Sequence, residues 1–164
     1  MLRFRLPVVT VRPFNTFGPR QSARAIVPTI LAQLLSGRPE LRLGALEPRR
    51  DLTFVEDTVE GMLALAACDA AVGRTVNLGT GEALSIGDLA RRCMRLVGRE
   101  VPVRVDEQRL RPEDSEVMAL VSDNGLAREL CGWRPRVGLD DGLRRCADFI
   151  RTHPDLYHPE EYQR

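Results

Sequence analysis

Residues 6–11 read Leu-Pro-Val-Val-Thr-Val, an apolar run with little alternation, as expected of a β-strand covered on both faces. Such a strand needs flanking strands, and few later candidates exist, so the pattern already points to a partner outside the chain. Residues 12–22 carry Pro13, Asn15, Gly18 and Pro19 and form the loop at that strand's end, where open α/β sheets place ligands. Helical spacing follows at Ile26, Ile30, Leu31, Leu34 and Leu35, predicting a helix within 23–35 that stops at Gly37 and Pro39. Pro28 leaves its start open between a turn before the proline and a helix beginning at it. Two short strands over 41–43 and 51–55 are expected in a small sheet apart from the main one. Asp57 is the expected cap of a helix running to residue 68, with Val59, Met62, Leu63, Leu65 and Ala66 inside.

A second strand is predicted over 75–79. Ser85 and Asp88 then form an S-x-x-D capping box for a helix through Leu89, Cys93, Met94 and Val97, closed by Gly98. A strand over 101–105 leads into a long polar connection over 106–121. Asp123 opens a short helix to Cys131, closed by Gly132, and a last amphipathic helix spans 139–150. The tail 152–164, with Pro154 and Pro159, reads as loosely held. The order of elements defines an α/β fold with one or two parallel strands and a small mixed α/β subdomain.

The length of 164 residues and 43% apolar composition suit one soluble domain. The 24 basic side chains are all arginine, against 23 acidic ones, for a net charge of +1. Without lysine the chain forms no Schiff base, no phosphate-loop lysine and no tyrosine–lysine pair. Evenly mixed charge argues against a nucleic-acid binder. Cys68, Cys93, Cys131 and Cys146 are too far apart for a zinc knuckle or redox pair, and read as reduced thiols on apolar helix faces of a cytoplasmic protein. No apolar run is long enough to span a bilayer, and the opening Met-Leu-Arg-Phe-Arg-Leu-Pro does not read as a signal peptide.

Gly79-Thr80-Gly81 lies between a strand and a helix, but Leu84 stands where a dinucleotide fingerprint needs its third glycine, so a tight turn explains it better. His153 and His158 fall in the tail with no partners at metal spacing. Tyr157 and Tyr162 lie there too, and Glu161 occupies the place a lysine would need after the first. Asp140-Asp141 suits a helix N-terminus, Glu160-Glu161 a solvated tail, and Trp133 a core anchor.

Three loops carry more information: R-P-F-N-T-F-G-P-R-Q over 12–21, R-R-D-L-T-F-V-E-D over 49–57, and R-L-R-P-E over 109–113. With N-L-G-T-G over 77–81 and D-N-x-x-A-x-x-L-x-G-W-x-P over 123–135, their order resembles the carboxy-terminal half of the extended short-chain dehydrogenase/reductases, the NAD-dependent nucleotide-sugar epimerases and dehydratases. The resemblance runs from residue 6 to about 150. Within it, R-P-F-N-T-F-G-P-R-Q-S-A-R and R-P-E-D-S-E-V look most like nucleotide-sugar 4,6-dehydratases of the legionaminic-acid type.

The resemblance implies that residues 1–151 are a nucleotide-sugar-binding portion, with 6–22 the last part of a Rossmann core. It places Pro13 and Phe14 near the nicotinamide of NAD, gives Asn15 an amide contact to the sugar nucleotide, and has Arg50 and Arg111 hold the diphosphate. Arg20, Gln21 and Arg24 are further candidate substrate contacts. Guanidinium forks suit a diphosphate because they bind its oxygens bidentately and stay charged. On spacing alone, Arg50 reads instead as a surface ion pair with Asp51 or Glu56, and Asn15 as a turn residue. The glycine-rich NAD loop and the Tyr-x-x-x-Lys pair have no counterpart in these residues, so NAD is a cofactor of the parental family and the chain alone is expected to be inert. The competing reading is a noncatalytic module that binds sugar nucleotides or docks to a chain carrying the Rossmann half, with no nucleic-acid or membrane partner.

Overall fold

A computed structural model describes residues 6–110 and 116–158. In chain order it forms β1 (Thr10–Pro13), β2 (Thr16–Phe17), α1 (Ile26–Leu35), β3 (Leu41–Leu43), β4 (Arg49–Arg50), β5 (Thr53–Phe54) and α2 (Val55–Ala66). There follow β6 (Thr75–Leu78), β7 (Leu84–Ser85), α3 (Ile86–Val97), β8 (Val103–Val105), β9 (Ala119–Leu120), α4 (Gly125–Cys131) and α5 (Leu139–Thr152). β1 and β6 run parallel, with Thr10 opposite Thr75 and Pro13 opposite Leu78. Three smaller ladders stand apart from this pair: β2 with β5, β3 with β8, and the mixed set β7-β4-β9.

Two apolar clusters hold these layers. The larger joins α1, α3 and α5 to β3 through Ile30, Leu31, Leu41, Leu43, Leu89 and Leu143, with Phe17 and Phe54 packed edge to face at 5.6 Å. The smaller lies between the β1–β6 pair and α2 and α4, and consists of Leu65, Ala71, Val76, Leu78, Ala127 and Trp133. Gly61 permits the close approach of α2 to this cluster. A Cβ there would lie 2.7 Å from Leu78 Cδ1 and 2.9 Å from the Trp133 indole nitrogen.

Local sequence explains the helix ends. Pro28 is the third residue of α1, within the first turn, where its missing N–H has no intrahelical partner to lose. At the other end of α1, Arg99 donates to the carbonyls of Leu34, Gly37 and Arg38, at 3.0, 2.7 and 2.6 Å. The capping box forms as expected: Ser85 Oγ accepts from the Asp88 N–H at 3.0 Å, and Gly98 closes α3 with φ +73°. Asp140 at the start of α5 pairs with both Nε and Nη2 of Arg92 on α3.

Several expectations are corrected. Strand pairing starts at Thr10 rather than residue 6, because β6 supplies only four partners; upstream, Gly73 N–H still donates to Val8 O at 2.8 Å. The strand is covered on one face only, where Val9 and Val11 meet the smaller cluster, while Leu6 and Val8 are exposed. The strand expected over 51–55 is broken at Asp51 and Leu52, because the Asp51 side chain turns inward. Asp57 does not cap α2. It is buried within the first turn, and its carboxylate accepts the backbone N–H groups of Arg136 and Val137 at 2.9 and 3.0 Å.

Of the apolar residues expected inside α2, only Leu65 is buried; Val59, Met62, Leu63 and Ala66 are exposed. The helix turns Thr58, Gly61 and Leu65 inward instead. Cys93 and Cys146 are buried, Cys68 and Cys131 half-buried, and all four are free. Cys68 lies just beyond the end of α2. The beginning of the expected loose tail is packed: Tyr157 is buried, and its hydroxyl donates to Gln21 O at 3.2 Å.

Candidate functional site

The R-R-D-L-T-F segment and the loop after β1 meet across their backbones. Thr53 N–H donates to Asn15 O at 3.3 Å, and Asn15 Nδ2 donates to Asp51 O at 3.1 Å. Behind this contact lies Asp51, wholly buried. Its Oδ1 accepts from the Thr80 N–H and hydroxyl at 2.9 and 2.6 Å. Its Oδ2 accepts from the N–H groups of Gly81 and Ser122, both at 3.0 Å, and from the Ser122 hydroxyl at 2.6 Å. Burial pushes the carboxyl pKa up, but the hydrogen bonds from Ser122 and Thr80 outweigh that and hold it below the ordinary carboxylate range.

One carboxylate therefore gathers β4, the Gly79-Thr80-Gly81 turn and the end of β9. A Cβ on Gly79 would collide with the Ser122 side chain and approach Asp51 Oδ2 to 2.8 Å. The amides of this turn, the single G-x-G of the sequence, are directed at Asp51 and not at a ligand phosphate. The turn is a structural junction, and the residues here do not fit a dinucleotide phosphate cradle.

Arg50, next to this junction, has a side chain 14% exposed. It pairs with neither Asp51 nor Glu56. Its Nη2 meets Glu116 Oε1 at 2.7 Å, while Nη1 donates to the carbonyls of Val117 and Arg49 at 2.6 and 3.0 Å. The guanidinium is thus fixed along the edge facing residues 116–117, at the wall of a cavity of about 400 Å³.

That cavity brings together Asn15, Gln21, Arg24 and Arg50, four of the residues named above as candidate substrate contacts. Thr16, Arg109 and Glu116 join them; Leu43, Gly44, Ala45, Pro48 and Leu52 supply a less polar wall. Among the described lining residues, three guanidinium groups, those of Arg24, Arg50 and Arg109, stand against the one carboxylate of Glu116. Gln21 is anchored by Nε2 donating to Thr16 O at 2.8 Å, and its buried Oε1 has no partner among the described residues. Arg109 pairs with Asp106 at 3.3 Å across one turn, and its carbonyl approaches Gly44 closely enough that a Cβ there would be 2.5 Å away.

Arg20 does not line the cavity; it is exposed and adopts φ +67° in the turn before Gln21. Pro13 and Phe14 stand at the end of β1, outside the cavity lining, where Phe14 N–H donates to Leu78 O at 2.8 Å. Arg111 lies outside the described residues. Sequence reasoning singled out neither Arg109 nor Glu116 as site residues, although both occur in the R-L-R-P-E-D-S-E-V stretch that carries the resemblance. Among the described residues no group of three or more His, Cys, Asp or Glu side chains is placed to hold a metal ion, and no helix is long and apolar enough to cross a membrane.

A parallel strand pair with helices packed against it defines a Rossmann-like α/β protein, with a cavity among the following loops lined in part by arginine. The chain belongs to the GDP-mannose 4,6-dehydratase family, whose model matches residues 2–146. It is 31% identical over 146 residues to the UDP-glucose 4-epimerase of Mycolicibacterium smegmatis, covering 87% of this chain and 45% of that protein. To UDP-glucuronic acid decarboxylase 1 of Xenopus tropicalis it is 32% identical, covering 95% of this chain and 36% of that protein. Among solved structures, the Bacillus cereus UDP-glucuronic acid 4-epimerase in complex with UDP-glucuronic acid and NAD matches with a TM-score of 0.82 at 27% identity, over 92% of this chain and 47% of that one. The chain therefore spans about half the length, or less, of these relatives.

Proposed function

We propose that this chain is the nucleotide-sugar-binding half of an NAD-dependent nucleotide-sugar 4,6-dehydratase or epimerase. The observation that carries the reading is the convergence of Asn15, Gln21, Arg24 and Arg50 on one cavity of about 400 Å³, whose described lining residues include three arginines and one carboxylate. A diphosphate brings about two negative charges into a partly dry site, where guanidinium groups hold it by charge-assisted hydrogen bonds. Arg50 is the principal contact, its orientation set by Glu116 and Val117 O. Asn15 and Gln21 present amide groups to the sugar, Arg24 lies at the more exposed rim, and Arg111 supplies the second diphosphate arginine. Arg20 is a contact made from outside the cavity, across the turn before Gln21.

The motif R-P-E-D-S-E-V and the run from Arg12 to Arg24 support a 4,6-dehydratase of the legionaminic-acid type. NAD supplies hydride transfer in such enzymes. Pro13 and Phe14, at the end of β1, face its nicotinamide only when a Rossmann half is present. With no lysine for a Tyr-x-x-x-Lys pair, the chain alone is inert and acts beside a complementary Rossmann half in the cytoplasm. Mixed charge and the lack of a long apolar helix among the described residues favour neither nucleic acid nor membrane as a partner.

Calorimetric titration of the purified chain with UDP, GDP and dTDP tests the binding reading. One of the three binds, and Arg50→Gln weakens it at least tenfold, about 1.4 kcal/mol or more. Unchanged affinity in Arg50→Gln removes Arg50 from the site. Conversion of a nucleotide-hexose to a 4-keto-6-deoxy product by the chain alone overturns the inertness.

A further inference from the structure

Glu116 is the one acid among the described residues that line the cavity, and it sits on Arg50. An arginine side chain has five N–H groups to offer. In Arg50, Nη1 has two acceptors for its two hydrogens, Val117 O at 2.6 Å and Arg49 O at 3.0 Å, and Nη2 donates to Glu116 Oε1 at 2.7 Å. An oxyanion arriving end-on needs a hydrogen from each terminal nitrogen, so that approach is closed. What stays open is the side made by Nε and the second hydrogen of Nη2. An oxyanion there shares Nη2 with Glu116, and two negative groups meet across one nitrogen. The two side chains are only 14% and 18% exposed, so water screens that repulsion poorly.

Release of the carboxylate breaks no other bond of the fold among the described residues. The segment after it is held to β4 by its backbone: Arg49 N–H donates to Met118 O at 2.7 Å and Asp51 N–H to Leu120 O at 2.9 Å. Beyond β9, Ser122 is fixed by the Asp51 carboxylate. Glu116 precedes all of these bonds, and its own tie to β4 is the ion pair. The acid beside Arg109 is placed differently. Asp106 faces that arginine across one turn, also accepts the Gln108 N–H at 3.1 Å, and is not among the lining residues.

We propose that Glu116 is an internal competitor for the ligand: its carboxylate holds Arg50 in the ligand-free chain, and a diphosphate binds by displacing it. The carbonyls of Arg49 and Val117 keep the guanidinium in place through the exchange. The competition sorts ligands by charge. A singly charged group gains little over the tethered carboxylate, whereas a diphosphate brings about two charges and more acceptor oxygens. A pair held in about nine molecules of ten lowers the apparent affinity about tenfold relative to an arginine left open. This inference rests on the reading of the cavity as a diphosphate site and deepens it.

The test titrates the full chain, Glu116→Gln and Glu116→Ala with inorganic pyrophosphate, UDP, GDP and dTDP in a calorimeter. Glutamine removes the charge and keeps an oxygen that can accept from Nη2; alanine removes both. Pyrophosphate, and whichever nucleoside diphosphate the chain takes, bind about tenfold more tightly to both variants. Arg50, followed peptide by peptide by mass spectrometry, also reacts faster with phenylglyoxal in the variants than in the unaltered chain, and pyrophosphate slows that reaction.

Unchanged or weaker affinity in Glu116→Gln overturns the proposal and makes Glu116 a residue that orients Arg50 with the ligand in place. Binding of none of these ligands to either variant also overturns it, because an opened Arg50 must take an oxyanion. Tighter pyrophosphate binding in both variants, with no nucleoside diphosphate held better than pyrophosphate, leaves the exchange standing and sinks the nucleotide-sugar reading.

Discussion

Replacing Asp51 with asparagine keeps the side chain's shape but takes away one of the two acceptors on which five hydrogen bonds converge. The amide does least harm with its nitrogen at the Oδ1 position. There the Thr80 hydroxyl rotates to accept, but the Thr80 backbone N–H faces another donor and is left unpaired. An orphaned buried amide costs about 1–3 kcal/mol, and the bonds remaining on the other oxygen fall from charge-assisted to neutral strength, a further loss of about 1 kcal/mol or more. A total of about 3 kcal/mol lowers Tm by about 6–12 °C for a chain of this size. Thermal unfolding followed by circular dichroism at pH 7 reads this directly.

The variant also changes the acid limb. The Asp51 carboxyl titrates below its ordinary value in the folded state. Its stabilisation is therefore complete above an unfolded pKa of about 3.9 and is lost as pH falls through the lower folded value. In Asp51→Asn that part of the acid dependence vanishes, so the stability gap between the two proteins narrows below about pH 4. A fall in Tm of less than about 2 °C, or a gap that widens in acid, refutes the idea that this carboxylate ties the three segments together.

Gly61→Ala forces a methyl group against Leu78 and Trp133 and destabilises by about 1–3 kcal/mol, read by urea unfolding. Ser85→Ala removes the α3 cap and costs about 1 kcal/mol by the same measurement. Cys93 and Cys146, with thiol pKa values pushed up to about 12 mainly by burial, stay unreactive toward a thiol reagent in the native state at pH 8, while Cys68 and Cys131 react; four fast thiols would contradict this. Tyr157→Phe loses the hydroxyl bond to Gln21 O and lowers stability by about 0.5–1.5 kcal/mol.

Periodicity located β3, β6 and the helices other than α2 because each buries one face at its own repeat, whereas β8 shows only its β-branched composition, Val103 being half-buried and Val105 exposed. Ser85, Asp88 and Gly98 marked both ends of α3 because caps act within a few residues. The same reasoning misassigned α2, whose Val59, Met62 and Leu63 have the spacing of a core face; spacing reveals that a face is apolar and is silent on whether this chain covers it. Asp57 and Asp51 were misread or passed over for a related reason. Their partners, Arg136 and Val137 for one and Thr80, Gly81 and Ser122 for the other, lie far along the chain, so no local pattern announces a buried carboxylate. Ordered motifs drew attention to Arg50, Asn15, Gln21 and Arg24, which the fold brings to one cavity. The pairing of Arg50 with Glu116 was not legible, because β9 brings that carboxylate back across 66 residues.

Trp133, the chain's one tryptophan, donates its indole N–H to Asp57 O at 2.9 Å beneath α2. Its emission is consequently a private optical channel for that helix. A ligand entering the cavity, whose described lining does not include Trp133, should leave the spectrum nearly still, whereas a loosening of α2 from its bed at Asp57 and Gly61 should shift the emission. The two events can thus be watched separately in one cuvette without any added dye.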